Sequence, residues 1–399
     1  MSDWLLAVHC GAGRYGSSSE AAYLSLLRSV LEGTHQVLRS ARCPPTAAQT
    51  AAHLLHAFER SSLTNAGLGA NLTEEGRVEC EASVVCGHTH LVSCCGAVRG
   101  VQEPSALALK LLEQAQAVDG GDASAMFAFG RQPPLVVVGE HARQLARGFG
   151  LETATEEDEA LRKFQVTETT QERWDKWRGR FQEAAETKEE QVEDERFDTV
   201  GAICMDPRGN VAAALSSGGV AYKVPGRLGL AGCPRMGCDA SNAAVTGTPN
   251  RKRKRGGQSK VKNAFAVACT GRGEHFFRSN LVGTLTRRLS KSADLERALR
   301  KSFAESSGVN GGRGVQGGVL ALVSASSSGD DTTKGDEPRR VQLGAAFTTP
   351  CMGVGFLQCR ADGEPKVQVQ LLRRPQSARD GQDLAIHVSF LSLGTHKHE

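Results

Sequence analysis

Apolar and polar positions alternate in two rhythms along the chain. Residues 4–10, Trp-Leu-Leu-Ala-Val-His-Cys, form a short continuous apolar run, which predicts a buried strand ending in Gly11-Ala12-Gly13. Residues 20–40 read as a helix. Pro44-Pro45 breaks the chain, and Thr46 with Gln49 makes a capping box for a second helix that reaches about Arg60. A glycine-rich loop, Thr64-Asn65-Ala66-Gly67-Leu68-Gly69, follows. Strands are expected near 78–86 and 91–98, a helix near 104–117, a strand at 135–138 and a helix at 140–148.

Residues 152–198 differ in character, being charged, nearly glycine-free and poor in aliphatics. Trp174, Trp177 and Phe181 fall at i, i+3 and i+7, one stripe of an amphipathic helix. The segment reads as a tether, partly helical and partly mobile, whose stripe docks on the body. From Thr199 the pattern turns to β, with strands expected at 199–205, 211–217, 264–270, 317–325, 341–348, 353–359, 366–372 and 385–392. One long helix is expected over 274–305, and exposed loops over 246–262 and 326–340. There is no internal repeat.

The stretch Thr199–Met205, the turn Asp206-Pro207-Arg208-Gly209-Asn210 and the stretch Val211–Ser217 predict a hairpin, stopped by Gly218-Gly219. If Met205 faces Val211 across the turn, Thr199 faces Ser217, with Cβ atoms about 4.5–5.5 Å apart. A Thr/Ser pair at a strand end is ordinary in itself. The change of composition at Asp198/Thr199, where an acidic tether meets a small-residue strand, marks a natural place for processing.

Charge sharpens this division. The 399 residues carry a net +4, yet residues 152–198 hold 16 acidic and 8 basic residues, a net of −8, which leaves +12 for the rest. Arg251-Lys252-Arg253-Lys254-Arg255 concentrates much of that excess. The twelve cysteines include no Cys-x-x-Cys, and most lie in apolar runs as small hydrophobes. The expectation is a reducing, intracellular setting. No apolar run reaches the roughly 18 residues of a membrane helix.

Residues 198–229, DTVGAICMDPRGNVAAALSSGGVAYKVPGRLG, resemble the nucleophile segment of the threonine aspartases (taspase) within the N-terminal-nucleophile asparaginase superfamily. His9-Cys10-Gly11-Ala12-Gly13, Thr64–Leu72 and Cys269–Glu274 resemble three further family segments, in family order. The resemblance implies an α+β fold, a four-layer α-β-β-α sandwich built as one composite domain. The chain would be cut between Asp198 and Thr199 into subunits 1–198 and 199–399. Thr199 would be nucleophile and, through its freed α-amine, base. Ser217 would hold it, Thr270 and Gly271 would form the oxyanion hole, and Arg227 would grip the substrate aspartate, with Asn65 and Gly273 in the binding site. Leu230 stands where plain asparaginases place an Asp, which favours a protein substrate. Glu81 and Cys86 depart from the aspartates the family pattern expects.

The implied activity is a threonine endopeptidase cutting after aspartate, with no cofactor and no metal. Implied substrates are nuclear regulatory proteins, and the implied assembly is an αβ heterodimer that can pair again. Two other readings stay open: an isoaspartyl peptidase or L-asparaginase on small substrates, and an inactive nuclear binding module. Gly11-Ala12-Gly13-Arg14-Tyr15-Gly16 matches a dinucleotide-loop spacing, but a helix follows where a second strand ending in an acidic residue is required. Cys80, Cys86, His88, His90, Cys94 and Cys95 fit no standard zinc spacing. His9 reads as a hydrogen-bonded strand-end histidine. The basic run lacks interleaved aromatics and reads as a nuclear-import signal rather than a nucleic-acid surface, giving a protein of nucleus and cytoplasm.

Overall fold

The computed structural model describes residues 3–155, 158–187, 199–246, 260–312, 314–325, 339–359 and 364–393. The chain runs β1 (Leu5–Gly13), α1 (Glu20–Ser40), α2 (Ala47–Glu59), β2 (Cys80–Cys86), β3 (Val92–Val98), α3 (Pro104–Asp119), β4 (Val136–Val138), α4 (Gly139–Gly148), α5 (Asp158–Gln165) and α6 (Glu168–Thr187). It continues through β5 (Val200–Met205), β6 (Val211–Ser217), β7 (Cys238–Ser241), β8 (Ala244–Thr246), β9 (Lys260–Lys262), β10 (Ala264–Gly271), α7 (Gly273–Ser279), α8 (Leu281–Leu289) and α9 (Leu295–Val309). The last strands are β11 (Gly317–Ser324), β12 (Arg339–Phe347), β13 (Cys351–Gln358), β14 (Lys366–Arg373) and β15 (Ala385–Leu393).

These elements make an α+β fold. One sheet has eight strands in the order β14-β13-β1-β5-β6-β2-β3-β4, a second has five in the order β15-β12-β11-β10-β7, and β8 with β9 forms a small ribbon. The eight-stranded sheet interleaves strands from before and after residue 198, so neither half closes it alone. Its central strands are buried on both faces, which explains their near-continuous apolar runs. One face, carrying Leu6, Val8, Val200, Ala202 and Ala214, packs with Leu31, Leu55 and Leu107 of α1, α2 and α3. The other, carrying Leu5, Ala7, Ile203, Ala213 and Leu215, meets Val267, Val319 and Ala321 of the five-stranded sheet. That sheet's far side receives α8 and α9. In the eight-stranded sheet, the period-2 alternation of side chains thus sorts the central strands between two separate cores.

The capping box at Thr46/Gln49 is present, with both reciprocal bonds. The single helix expected over 274–305 is instead three. Asn280 adopts φ 46°, a left-handed conformation that ends α7, and Asp294 caps α9 by accepting from the Arg297 amide at 3.0 Å. Apolar periodicity runs through these breaks because all three helices bury side chains in the same core cluster. The expected loop 246–262 begins and ends as the β8–β9 ribbon, while β7 was not foreseen. The basic run 251–255 and the end of the tether at Asp198 lie outside the described residues. No helix among the described residues is long and apolar enough to cross a membrane.

Glu59, the last residue of α2, is fully buried, and the Ser105 N–H and Oγ donate to its carboxyl at 2.9 and 2.7 Å. Burial pushes its pKa from 4.5 up to about 8 against the opposing Ser105 bonds. A raised carboxyl pKa means the folded state holds the proton. Its contribution is complete below about pH 4.5 and is lost as the pH rises through about 8. Unfolding in urea at pH 5, 6, 7 and 8 should show wild type losing about 1 kcal/mol per pH unit relative to Glu59→Gln. Parallel stability curves for the two proteins would contradict the assignment.

Candidate active site

The β5–β6 hairpin builds the centre of the site. Asp206 accepts from the Asn210 amide at 2.8 Å, and its own amide donates to the Asn210 carbonyl, so the turn closes on itself. Gly209 takes φ 86°, which suits glycine. The turn sets Met205 opposite Val211 and Val200 opposite Ser216, the register expected from the sequence. Thr199 therefore meets Ser217, with 3.1 Å between the two hydroxyl oxygens. Both residues are buried.

The Gly219 N–H donates to Ser217 Oγ at 2.9 Å, which leaves the Ser217 hydroxyl proton and a second lone pair for Thr199, so either hydroxyl can donate to the other. The Gly218-Gly219 segment is itself held. Asn65 and Asn71 donate side-chain amide protons to the Gly219 carbonyl at 2.7 and 2.9 Å. Lys223 Nζ donates to the Gly218 carbonyl at 2.9 Å. A side chain at Gly218 would meet Asn65 Oδ1 at 2.4 Å, so only glycine passes there.

A narrow cleft opens over this pair. Thr199, Ser217, Asn65, Arg227, Gly271 and Gly273 all line it, which unites six of the sequence-predicted residues. Glu81, Gly219, Val220, Gly229 and Leu230 complete the lining. Thr270 is fully buried next to Gly271, and Gly271 takes φ 140°. Asn65 is committed to the loop, since its Oδ1 also accepts from the Asn71 amide.

Arg227 is paired. Its Nε and Nη2 donate to the two oxygens of Glu274 at 2.9 Å each, and Glu274 stands in the first turn of α7. Burial acts to raise the Glu274 pKa, but Arg227 and nearby donors hold it below the usual range. Below the cleft, burial pushes Glu81 up and Lys223 down, and each charge opposes the shift of the other. Glu274, Lys223 and Asn71 received no role from the sequence, although all three lie within or beside the quoted segments. Glu81 was visible there only as a departure from the family pattern.

His9 is fully buried; its ring nitrogens make no hydrogen bond of regular geometry, and its one polar interaction is with the Thr199 backbone. Burial pulls its pKa down to about 3, with the Thr199 backbone opposing, so it stays neutral. Gly201 has no side chain because the imidazole fills that space, 2.1 Å from where a Cβ would stand. Among the described residues, no group of three His, Cys, Asp or Glu side chains could hold a metal ion. The twelve cysteines are free thiols.

Helix α6 lies against the loop that follows Gly219. Trp174 Nε1 donates to the Thr73 carbonyl at 2.8 Å, and its ring covers Gly76. Phe181 stacks on Tyr222 at 4.8 Å, and Arg173 donates to Asn71 Oδ1 at 3.0 Å. The aromatic stripe thus docks three residues beyond the glycine pair. Replacing Trp174 and Phe181 together with serine should release α6, so that trypsin cuts between Arg173 and Arg180 about tenfold faster or more. An unchanged rate of cutting would mean that other contacts hold the helix.

The asparaginase family model matches residues 2–250. An isoaspartyl peptidase of Escherichia coli is 27% identical over 70% of this chain and 74% of its own. An isoaspartyl peptidase/L-asparaginase of Xenopus laevis is 27% identical over 83% of this chain and 88% of its own. A plant-type L-asparaginase of Pyrobaculum calidifontis is 32% identical over 59% and 70%. With well over half its length inside the family match, the chain belongs to the asparaginase family of N-terminal-nucleophile hydrolases.

Proposed function

We propose that the protein is a self-processing threonine endopeptidase that cuts its own Asp198–Thr199 bond and then cleaves other polypeptides after aspartate. The observation that carries this reading is the Thr199–Ser217 hydroxyl pair, 3.1 Å apart, in a cleft that also holds Arg227. The Thr199 hydroxyl attacks the Asp198 carbonyl, and water opens the resulting ester. Cleavage frees an α-amine with an ordinary pKa of about 7.7–8.0, suited to act as base near neutral pH. Ser217 donates to Thr199 Oγ, which leaves the threonine proton for the amine. Thr270 and Gly271 supply the oxyanion donors. The two sheets in contact, with α1–α3 on one side and α8–α9 on the other, support a four-layer α-β-β-α sandwich shared by subunits 1–198 and 199–399.

In this reading Arg227 grips the substrate carboxylate, and Glu274 keeps the guanidinium fork in place until substrate shares it. Leu230, buried at the cleft wall, offers no charge to a free amino-acid amine and so favours a continuing chain. The partners are then nuclear regulatory proteins, with 251–255 as an import signal and the αβ pair as the working unit.

A second reading, an isoaspartyl peptidase or L-asparaginase on small substrates, is favoured by the names of the relatives. One comparison separates the two. An aspartyl peptide and a β-aspartyl dipeptide are offered to the purified enzyme. Preference for the aspartyl peptide, and loss of its cleavage by about tenfold or more in Arg227→Ala, is the outcome expected here. Turnover of the dipeptide alone would establish the second reading in its place.

A further inference from the structure

Arg227 is borne on a loop with little regular structure of its own, yet the loop is tied down on both sides. Glu79 Oε2 accepts the Gly226 N–H at 2.7 Å, and Glu81 Oε2 accepts the Gly229 N–H at 2.6 Å. Arg227 therefore sits between two amides, each held by a carboxylate from the start of β2. The loop rests directly on Glu81: a side chain at Gly229 would meet Glu81 Oε1 at 2.6 Å. A third tie comes from Lys223, whose Nζ donates to the backbone carbonyls of Glu79 and Gly218.

Both glutamates are buried, at 8% and 2% exposure. Burying a carboxylate costs several kcal/mol before its bonds are counted, and these two take up backbone N–H groups of a loop rather than filling a core. Glu81 also pairs across strands with Ser217, which in turn faces Thr199. The reacting hydroxyls and the post that holds the arginine loop thus belong to adjacent strands of one sheet. The loop that carries the guanidinium is thus tied to the sheet that carries the nucleophile.

We propose that Glu79 and Glu81 act as a clasp that positions Arg227, and that this clasp determines how well the enzyme selects a substrate carboxylate. The inference rests on the role given to Arg227 above. Both act through the loop that carries Arg227 and are positioning residues, although Glu81 also reaches the cleft wall.

The test is a double-mutant cycle on the processed enzyme, with Glu81→Ala, Glu79→Ala and Arg227→Ala alone and combined, measured on whichever of the two substrates wild type cleaves. Each glutamate variant should raise KM about tenfold and change kcat by less than about threefold. Neither should add to the loss in the Arg227→Ala background. Glu81→Asp, which keeps the carboxylate, should recover most of the affinity. If circular dichroism finds Glu81→Ala unfolded, Glu79→Ala at the other post carries the cycle. An unchanged KM in a folded variant, or effects that add to that of Arg227→Ala, would overturn the clasp. Wild type inert on both substrates would strike the functional reading instead. The clasp is then read from the affinity for L-aspartate, which must fall about tenfold in the same variants and not in the Arg227→Ala background.

Discussion

The register of a single hairpin governs this site. The Asp206–Asn210 turn puts Val200 opposite Ser216, and one further step puts the Thr199 and Ser217 hydroxyls 3.1 Å apart. A slip of one residue would send Thr199 to the helix-covered face and bring an apolar neighbour to the cleft. Everything around the pair serves to keep it. Gly219 donates to Ser217, Asn65 and Asn71 hold the Gly219 carbonyl, and Lys223 holds the Gly218 carbonyl. Removing any one of these frees a buried polar group, whose desolvation costs about 1–3 kcal/mol.

The charges near the cleft are arranged in opposition. Arg227 is held by Glu274, and Lys223 lies in the field of Glu81, so no buried charge in the group stands alone. Such pairs contribute little net stability, since desolvation offsets most of the attraction. What they give is a defined place for the guanidinium before substrate arrives, and that is worth more to binding than an equal number of flexible contacts.

Much of this was legible in the chain. The hairpin, its register, the capping box at Thr46 and the aromatic stripe of α6 all follow from local pattern, and local pattern is what a sequence displays directly. The six cleft residues came from the family segments. The break at Asn280 is hidden in the sequence because α7, α8 and α9 all feed one core cluster, so the apolar spacing conceals a change of direction made by a single left-handed residue. The roles of Glu79 and Glu81 were hidden for another reason, Glu81 standing out only as a departure from the family pattern. A glutamate on a half-polar strand reads as solvent-facing, and only the approach of a loop nearly 150 positions away turns Glu79 and Glu81 inward. His9 packs against Gly201, and its one polar interaction, with the Thr199 backbone, lacks regular hydrogen-bond geometry.

The central claim is that Thr199 is the nucleophile of its own release and of the later reaction. It is tested most directly by purifying wild type and Thr199→Ala, resolving each on a denaturing gel and sequencing the new N-terminus. Wild type should separate into two fragments, the second beginning Thr-Val-Gly, while Thr199→Ala remains a single chain. A single intact wild-type chain that is nonetheless active, or a Thr199→Ala chain that still splits at Asp198, would contradict the account.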